Sequence, residues 1–267
     1  MAATIAALIV VFIFAYLIKE SVNSFTFSNW LLFFTSKSWN PTEGLFAIGP
    51  MLVGSFVIGF GAVLVAAPLG ILVALYTEFY ASPVVSVVIK KTFELASAVP
   101  SVVYGFWGLI VLVPIINEFR APGTSVLAGI IILAMMIFPI LVFALLARIS
   151  IGASYFQSSE ALGLSKWTTI GQIILPDSAR SIFAGILLQL GRALGETMAI
   201  IMVCGNVVQF PTSLFDPVRT LTSNIALEMA YAAGSHRSAL FVSSLLLMIF
   251  LLLIFVLIQI SQRSSNA

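Results

Sequence analysis

Charge is scarce in this sequence of 267 residues. Only 8% of the residues are Asp, Glu, Lys or Arg, whereas 61% are hydrophobic, and the mean hydropathy is +1.16. Soluble domains carry about 25% charged residues, and a soluble core of this size could not bury so large an apolar fraction. The composition therefore predicts an integral membrane protein.

Several residue types that functional sites need are almost missing. The single cysteine, Cys204, cannot form an internal disulfide, and the single histidine, His236, excludes a multi-histidine metal site, so we expect no metal. A net charge of +2 gives no indication of nucleic-acid binding. The sequence has no Walker-type phosphate loop, Gly-x-Gly-x-x-Gly fingerprint or Cys-x-x-Cys pair. If ATP drives this protein, another chain must bind it.

Long runs without charge predict six transmembrane helices, since about 20 apolar residues cross the hydrocarbon. The predicted spans are 2–18, 48–76, 95–117, 121–147, 181–209 and 238–262. We interpret residues 1–43 as an N-terminal helix with an external loop and 44–262 as one transmembrane domain. Six spans place both termini on one side of the membrane.

The longest polar interval, residues 148–180, predicts two short helices with Gly163 as the stop of the first. Leu164, Trp167, Ile170 and Ile174 recur at helical spacing and would give the second helix an outward apolar face. Such a face fits the groove of a partner protein. The alternative is an amphipathic loop that lies on the lipid headgroups.

In this interval Gly163 is followed, after nine residues, by Ile173-x-Leu175-Pro176. This spacing resembles the "EAA" loop of ABC importer permeases. The family's Glu-Ala-Ala falls on Gln157-Ser158-Ser159 here, and Glu160 lies three residues further on, on a similar helical face. The resemblance implies that the loop docks on an ATPase subunit, through Gln157, Glu160, Ala161, Gly163, Ile173, Leu175 and Pro176.

Three further stretches narrow the family. Residues 98–108 (AVPSVVYGFWG), 191–199 (GRALGETMA) and 221–230 (LTSNIALEMA) are similar to the phosphate-transporter permease family PstC. The resemblance implies an all-α type I ABC importer permease core with one extra N-terminal helix, in a prokaryotic cytoplasmic membrane with both termini cytoplasmic. It also implies three partners: a PstA-like second permease, a dimeric PstB-like ATPase that holds the ATP and Mg, and a PstS-like binding protein.

Arg192 and Glu196 are the strongest candidates for the substrate pathway. A charge at the centre of a membrane helix costs about 2.5–3.5 kcal/mol on insertion scales, so such residues usually face an interior or an aqueous path. Their i, i+4 spacing predicts one shared helix face, and an Arg fork matches phosphate oxygens. A buried ion pair that only fixes helix packing is the structural alternative. The PstC resemblance implicates both residues in phosphate translocation.

Other polar residues are weaker candidates. Thr197 could line the path or bond back to its own helix, and Ser101 and Tyr104, near Pro100, could line the path or simply pack. Between the last two spans, Asp216, Arg219 and Glu228 could meet a binding protein, although a solvated loop would explain them equally well.

We therefore predict a non-enzymatic permease subunit that moves phosphate by ATP-driven alternating access. A permease for another oxyanion, such as molybdate or sulfate, is the nearest alternative. An ion-driven secondary carrier is a third hypothesis. It predicts inverted repeats, and the sequence shows no such symmetry. A membrane scaffold would have no use for an intramembrane Arg-Glu pair.

Overall fold

The computed structural model describes residues 1–22, 33–34, 36, 38–152 and 154–263. Within these ranges the chain is helical, with two isolated β-bridges and no strand. Six of the described helices are long and apolar enough to cross a membrane, which confirms the predicted all-α membrane fold. These spans are Thr4–Val22, Gly49–Phe79, Ser101–Phe119, Val126–Ala147, Lys166–Gly195 and Gly234–Ser261.

The α-helices are labelled in chain order. They are α1 (Ala2–Val22), α2 (Gly49–Phe79), α3 (Pro83–Ser97), α4 (Ser101–Trp107), α5 (Val113–Phe119), α6 (Val126–Gly152), α7 (Ser154–Ala161), α8 (Lys166–Thr169), α9 (Leu175–Gly195), α10 (Met198–Val203), α11 (Leu221–Glu228) and α12 (Gly234–Arg263). A 3₁₀ turn covers Pro41–Glu43, and π-helical turns cover Gly108–Leu112 and Ile170–Ile174.

Each of the two π-helical turns lies just before a proline, with one residue between them. Gly108–Leu112 precedes Val113-Pro114, and Ile170–Ile174 precedes Leu175-Pro176. A proline inside a helix has no N–H to donate, and its ring clashes with the carbonyl four residues earlier. A π turn at that place changes the hydrogen-bond register and relieves the clash. The third and fifth spans therefore each continue through their proline as one helix.

Two predicted spans have different boundaries in the structure. Pro100 separates the amphipathic α3 from the third span, which begins at Ser101 instead of 95. The fifth span was predicted at 181–209, but it is helical from Lys166 to Gly195. Since α8, its π turn and α9 follow one another without a gap, the second short helix predicted in the 148–180 loop is not a separate element.

The chain divides into two compact units. The first comprises Met1–Ile58, Gly105–Gly129 and Leu194–Leu252. Its apolar centre contains Ile48, Met51, Leu221, Ala239 and Val242, each at most 1% exposed. The aromatic rings of Trp39 and Phe46 pack against this cluster.

In the first unit, residues 204–220 form an ordered loop against the start of α6. The carbonyls of Asp216 and Leu214 accept hydrogen bonds from Val126 N and Leu127 N at 3.0 and 2.8 Å. Amides in the first turn of a helix lack helical partners, so the loop supplies acceptors for them. The hydroxyl of Thr212 and two backbone N–H groups donate to the Asp216 carboxylate, and these bonds lower its pKa.

The second unit comprises Gly59–Tyr104, Ile130–Ala193 and Leu253–Ala267. Here α2 packs against α6, and a Cβ at Gly70 would lie 3.3 Å from a methyl carbon of Leu141. Phe93 of α3 makes an edge-to-face contact with Phe138 of α6 at 5.3 Å between centroids. Small residues and aromatic contacts of this kind are how membrane helices pack without a hydrophobic driving force.

Candidate functional site

A two-residue break follows the fifth span. Helix α9 ends at Gly195, Glu196 and Thr197 are not helical, and α10 begins at Met198. Glycine is a weak helix former, and the Thr197 hydroxyl donates to the Gly195 carbonyl at 3.3 Å. Arg192 and Glu196 are therefore not both inside one helix, because Glu196 directly follows the last helical residue.

Arg192 lies in the last turn of α9 and is exposed. A cation in the last turn interacts favourably with the carbonyl ends of the helix. Among the described side chains, none of the ion pairs includes Arg192. The guanidinium therefore has donors that no carboxylate within the described ranges occupies.

Glu196 is half-buried, and two of its oxygen atoms accept hydrogen bonds from residues of the first unit. Its side-chain Oε1 accepts from Ala199 N at 3.4 Å, and its carbonyl oxygen accepts from the Thr222 hydroxyl at 2.9 Å. A carboxylate next to the first N–H groups of α10 is favourably placed. No described heavy atom lies within 4 Å of where a Cβ of Gly195 would be, so the break has open space beside it.

The weaker pathway candidates have local partners. The Thr197 hydroxyl bonds back to the end of its own helix, as described above. The Tyr104 hydroxyl donates to the Ala96 carbonyl at 2.9 Å, and Ser101 is half-buried at the start of α4. In the part of the chain that the structure describes, no hydrogen bond joins either residue to Arg192.

The elbow, residues 162–165, connects α7 to the fifth span. Gly163 has a φ of +74°, and Leu164 N donates to the Ser159 carbonyl at 3.0 Å. This is the left-handed helix end that glycine favours, and it confirms Gly163 as the stop of the first loop helix. The backbones of Gln157 and Glu160 belong to α7, but their side chains lie outside the described residues.

Of the four residues predicted to form one outward apolar face, two are exposed and two are buried. Trp167 is 75% exposed and Leu164 is 37% exposed. By contrast, Ile170 and Ile174 are at most 2% exposed, so the prediction of one outward face is wrong for these two. They point inward because this segment is the start of a packed transmembrane helix.

The remaining residues predicted to dock on the ATPase likewise fall into an exposed group and a less exposed group. Ala161 and Pro176 are exposed, and Ile173 and Leu175 are half-buried within the fifth span. The exposed apolar surface beside Gly163 therefore consists of Leu162, Leu164 and Trp167.

Sequence reasoning missed a buried polar cluster around Glu228. Its Oε1 accepts from Arg219 Nη1 at 2.6 Å, and its Oε2 lies 2.7 Å from Trp39 Nε1, which donates to it, and 2.8 Å from His236 Nε2. Glu228 is 7% exposed and His236 is 9% exposed, so the solvated-loop interpretation of Arg219 and Glu228 is wrong. Trp39 lies 189 positions from Glu228, so no local spacing could have indicated this cluster.

Within the described ranges, no group of three or more His, Cys, Asp or Glu side chains is placed to hold a metal ion. The absence of a cofactor in this chain stays a prediction.

Comparisons with known proteins agree on the family. The model of the family "Binding-protein-dependent transport system inner membrane component" matches residues 66–266. "Probable ABC transporter permease protein YqgH" of Bacillus subtilis is 38% identical over 234 residues, which cover 85% of this chain and 76% of the relative. "Phosphate transport system permease protein PstC" of Mesorhizobium japonicum is 34% identical over 260 residues, with 88% of this chain and 78% of the relative covered.

Solved structures agree on the fold. A chain of a bacterial alginate ABC transporter, in complex with its pentasaccharide-bound periplasmic protein, has a TM-score of 0.70 and 16% identity over 100% of this chain and 94% of that one. The methionine ABC transporter MetNI has a TM-score of 0.57 and 16% identity, with 81% of this chain and 93% of that one covered. The chain therefore belongs to the binding-protein-dependent inner membrane components as an ABC importer permease, and its predicted resemblance to the PstC family is confirmed.

Proposed function

We propose that this permease moves inorganic phosphate across the cytoplasmic membrane by ATP-driven alternating access. The observation that carries the proposal is Arg192, an exposed guanidinium in a membrane-spanning helix that forms no ion pair with any described carboxylate. An intramembrane cation of this kind usually faces a substrate path. The names of the PstC relatives support phosphate as the anion.

Each pathway residue has a distinct role in this proposal. The planar fork of Arg192 donates two parallel hydrogen bonds to phosphate oxygens. The Glu196 carboxylate lowers the local positive potential, so that phosphate is released instead of trapped. Thr197 is a weaker candidate for lining the path, because its hydroxyl already donates to the Gly195 carbonyl.

Coupling to ATP takes place at the elbow. Leu162, Leu164 and Trp167 form an exposed apolar surface beside Gly163, which fits the groove of an ATPase subunit. ATP and Mg bind to that separate subunit, a PstB-like dimer, and ATP binding must favour one permease state to drive transport. A PstA-like permease and a PstS-like binding protein complete the importer, and both termini are cytoplasmic.

The test is uptake of labelled phosphate into proteoliposomes that contain this chain with its partner permease, ATPase and binding protein. Charge-assisted hydrogen bonds contribute about 1.5–3 kcal/mol, so we expect Arg192→Gln to lower ATP-dependent uptake about 10- to 100-fold. Arg120→Gln is the matched control, since Arg120 is exposed after α5, where it lies over the Phe215 ring and near the Asp216 carboxylate, outside the fifth span.

The outcomes separate the alternatives. Uptake that ignores ATP but follows an ion gradient would contradict the importer mechanism. Transport of molybdate or sulfate in preference to phosphate would contradict the substrate. Normal uptake by an assembled Arg192→Gln variant would leave the importer intact but remove Arg192 from the pathway.

A further inference from the structure

The carbonyls of Gly195 and Glu196, at the end of α9 and the start of the break, both accept hydrogen bonds from threonine hydroxyls. Thr197 donates to the Gly195 carbonyl, and Thr222 donates to the Glu196 carbonyl at 2.9 Å. Glu196 precedes the N-cap residue of α10, so its carbonyl lies outside the hydrogen-bond ladder of that helix. Thr222 is 7% exposed and comes from α11, 26 positions further along the chain.

Helix α11 is anchored at its first turn. Leu221 N donates to the Ser55 hydroxyl of α2 at 2.9 Å, and that hydroxyl donates to the Met51 carbonyl at 2.8 Å. Thr220 caps the helix by accepting from Ser223 N at 3.2 Å. Ser223 is 0% exposed. Thr222 therefore projects from a turn whose backbone is fixed on both sides of it.

The last turn of α11 is anchored as well. Glu228 accepts from Trp39 and Arg219 and pairs with His236, and Arg219 also donates to Asn224 Oδ1 at 3.0 Å. A buried carboxylate with several charge-assisted partners holds its surroundings rigidly. Rotation or translation of α11 would break bonds at both ends, so the Thr222 hydroxyl occupies a fixed point.

We propose that Thr222 is a positioning residue for transport, which holds the backbone of Glu196 and thereby aims its carboxylate. The proposal rests on the proposed function, in which Glu196 assists phosphate release. Without the hydroxyl, the Glu196 carbonyl loses its partner. The peptide at Glu196 can then turn, because the remaining bonds, Thr197 Oγ1 to the Gly195 carbonyl, Ala199 N to Glu196 Oε1 and Ile201 N to the Thr197 carbonyl, do not hold that carbonyl. Release slows while the first contact of phosphate with Arg192 is unaffected.

The first experiment measures kcat and KM of ATP-dependent phosphate uptake for a series at position 222. Thr222→Val keeps the side-chain shape and removes the donor, and loss of one such hydrogen bond predicts about a fivefold lower kcat with no rise in KM. Thr222→Ser keeps the hydroxyl and should restore kcat to within about twofold of the parent. Thr77→Val is the matched control, since Thr77 is equally buried but donates within its own helix, to the Val73 carbonyl.

The second experiment does not depend on transport. With Glu196→Cys in place, the rate of alkylation by a maleimide reports the position of side chain 196, and we expect Thr222→Val to change that rate about threefold or more. Should Thr222→Val fail to assemble, Thr222→Ala removes the donor with a smaller side chain, adds no thiol, and serves in both experiments.

The results separate this inference from the function on which it rests. Parental kcat and an unchanged alkylation rate in Thr222→Val would overturn the positioning role, as would a Thr222→Ser variant as impaired as Thr222→Val. A parent that shows no ATP-dependent phosphate uptake would overturn the proposed function, and the alkylation rates would still decide whether Thr222 positions residue 196.

Discussion

Replacement of Gly163 tests whether the geometry of the elbow controls coupling. The φ of this residue is +74°, and no described heavy atom lies within 4 Å of the place where a Cβ would be. Within the described residues a side chain here meets no steric obstacle, so the cost is backbone strain alone. That cost is about 1 kcal/mol for Ala and about 2 kcal/mol for a β-branched residue, whereas Asn tolerates the left-handed conformation.

These costs lower the stability of the correctly formed elbow. A penalty of one or two kcal/mol lowers the equilibrium constant for forming it about 5- to 30-fold. We therefore expect the number of phosphate ions moved per ATP hydrolysed to fall in the order Asn, Ala, Val at position 163. Proteoliposomes with simultaneous measurement of uptake and ATP hydrolysis give this ratio directly.

A nearby glycine provides the control for this series. Gly171 also has open space around its Cβ position, but its φ is not positive. Gly171→Ala should therefore leave the coupling ratio at the parental value. If Gly163→Val couples as well as the parent, or if Gly163→Asn is as defective as Gly163→Val, backbone strain at the elbow is not what sets the coupling.

Two further predictions concern stability, measured as thermal unfolding in detergent. A Cβ at Gly105 would lie 2.7 Å from Ala199 Cα, so Gly105→Ala should overpack this contact and cost about 1–3 kcal/mol; an unfolding temperature equal to that of Gly171→Ala would contradict this. Glu228→Gln replaces one of the two carboxylate oxygens, an acceptor, with an amide NH₂ group, a donor that would face another buried donor. We expect this change to lower the free energy of unfolding by about 2–4 kcal/mol. Glu43→Gln, at an exposed acid, is its control, and equal stability of the two variants would show that the cluster contributes little.

Long runs without charge were sufficient to predict the number of membrane spans and their approximate positions, because crossing a bilayer imposes one strong local requirement, a long apolar segment. The stop at Gly163 was also predictable, since a left-handed helix end depends on the identity of one residue. Both features depend on residues that are neighbours in the sequence.

The boundaries of the fifth span were not predictable in the same way. Residues 166–180 are more polar than a membrane segment, yet they continue the helix, because a helix can extend beyond the hydrocarbon. The π turn before Pro176 then allows the helix to pass a residue that usually ends one. At the other end, the helix stops at Gly195, and this stop leaves Glu196 outside the helix that was predicted to contain it.

The Glu228 cluster depends on tertiary structure alone. Its residues come from the loop before α2, the loop before α11, α11 itself and the first turn of α12. Each of them, considered in its own local sequence, is typical of an exposed connecting segment. Only the fold brings four such segments together, so charge patterning along the chain could not indicate the burial of Glu228.

The continuity of the fifth span has a mechanical consequence. Lys166 follows the elbow directly and Arg192 lies in the last turn, and both belong to the second compact unit. The helix between them is about 40 Å long at 1.5 Å per residue. A rigid rod of that length that tilts by about 5° moves its far end by about 3–4 Å, which exceeds the length of a hydrogen bond. If the helix tilts as one body, with the elbow at one end and the guanidinium at the other, a small rotation at the elbow would be enough to make or break contacts of Arg192 without a relay through other helices.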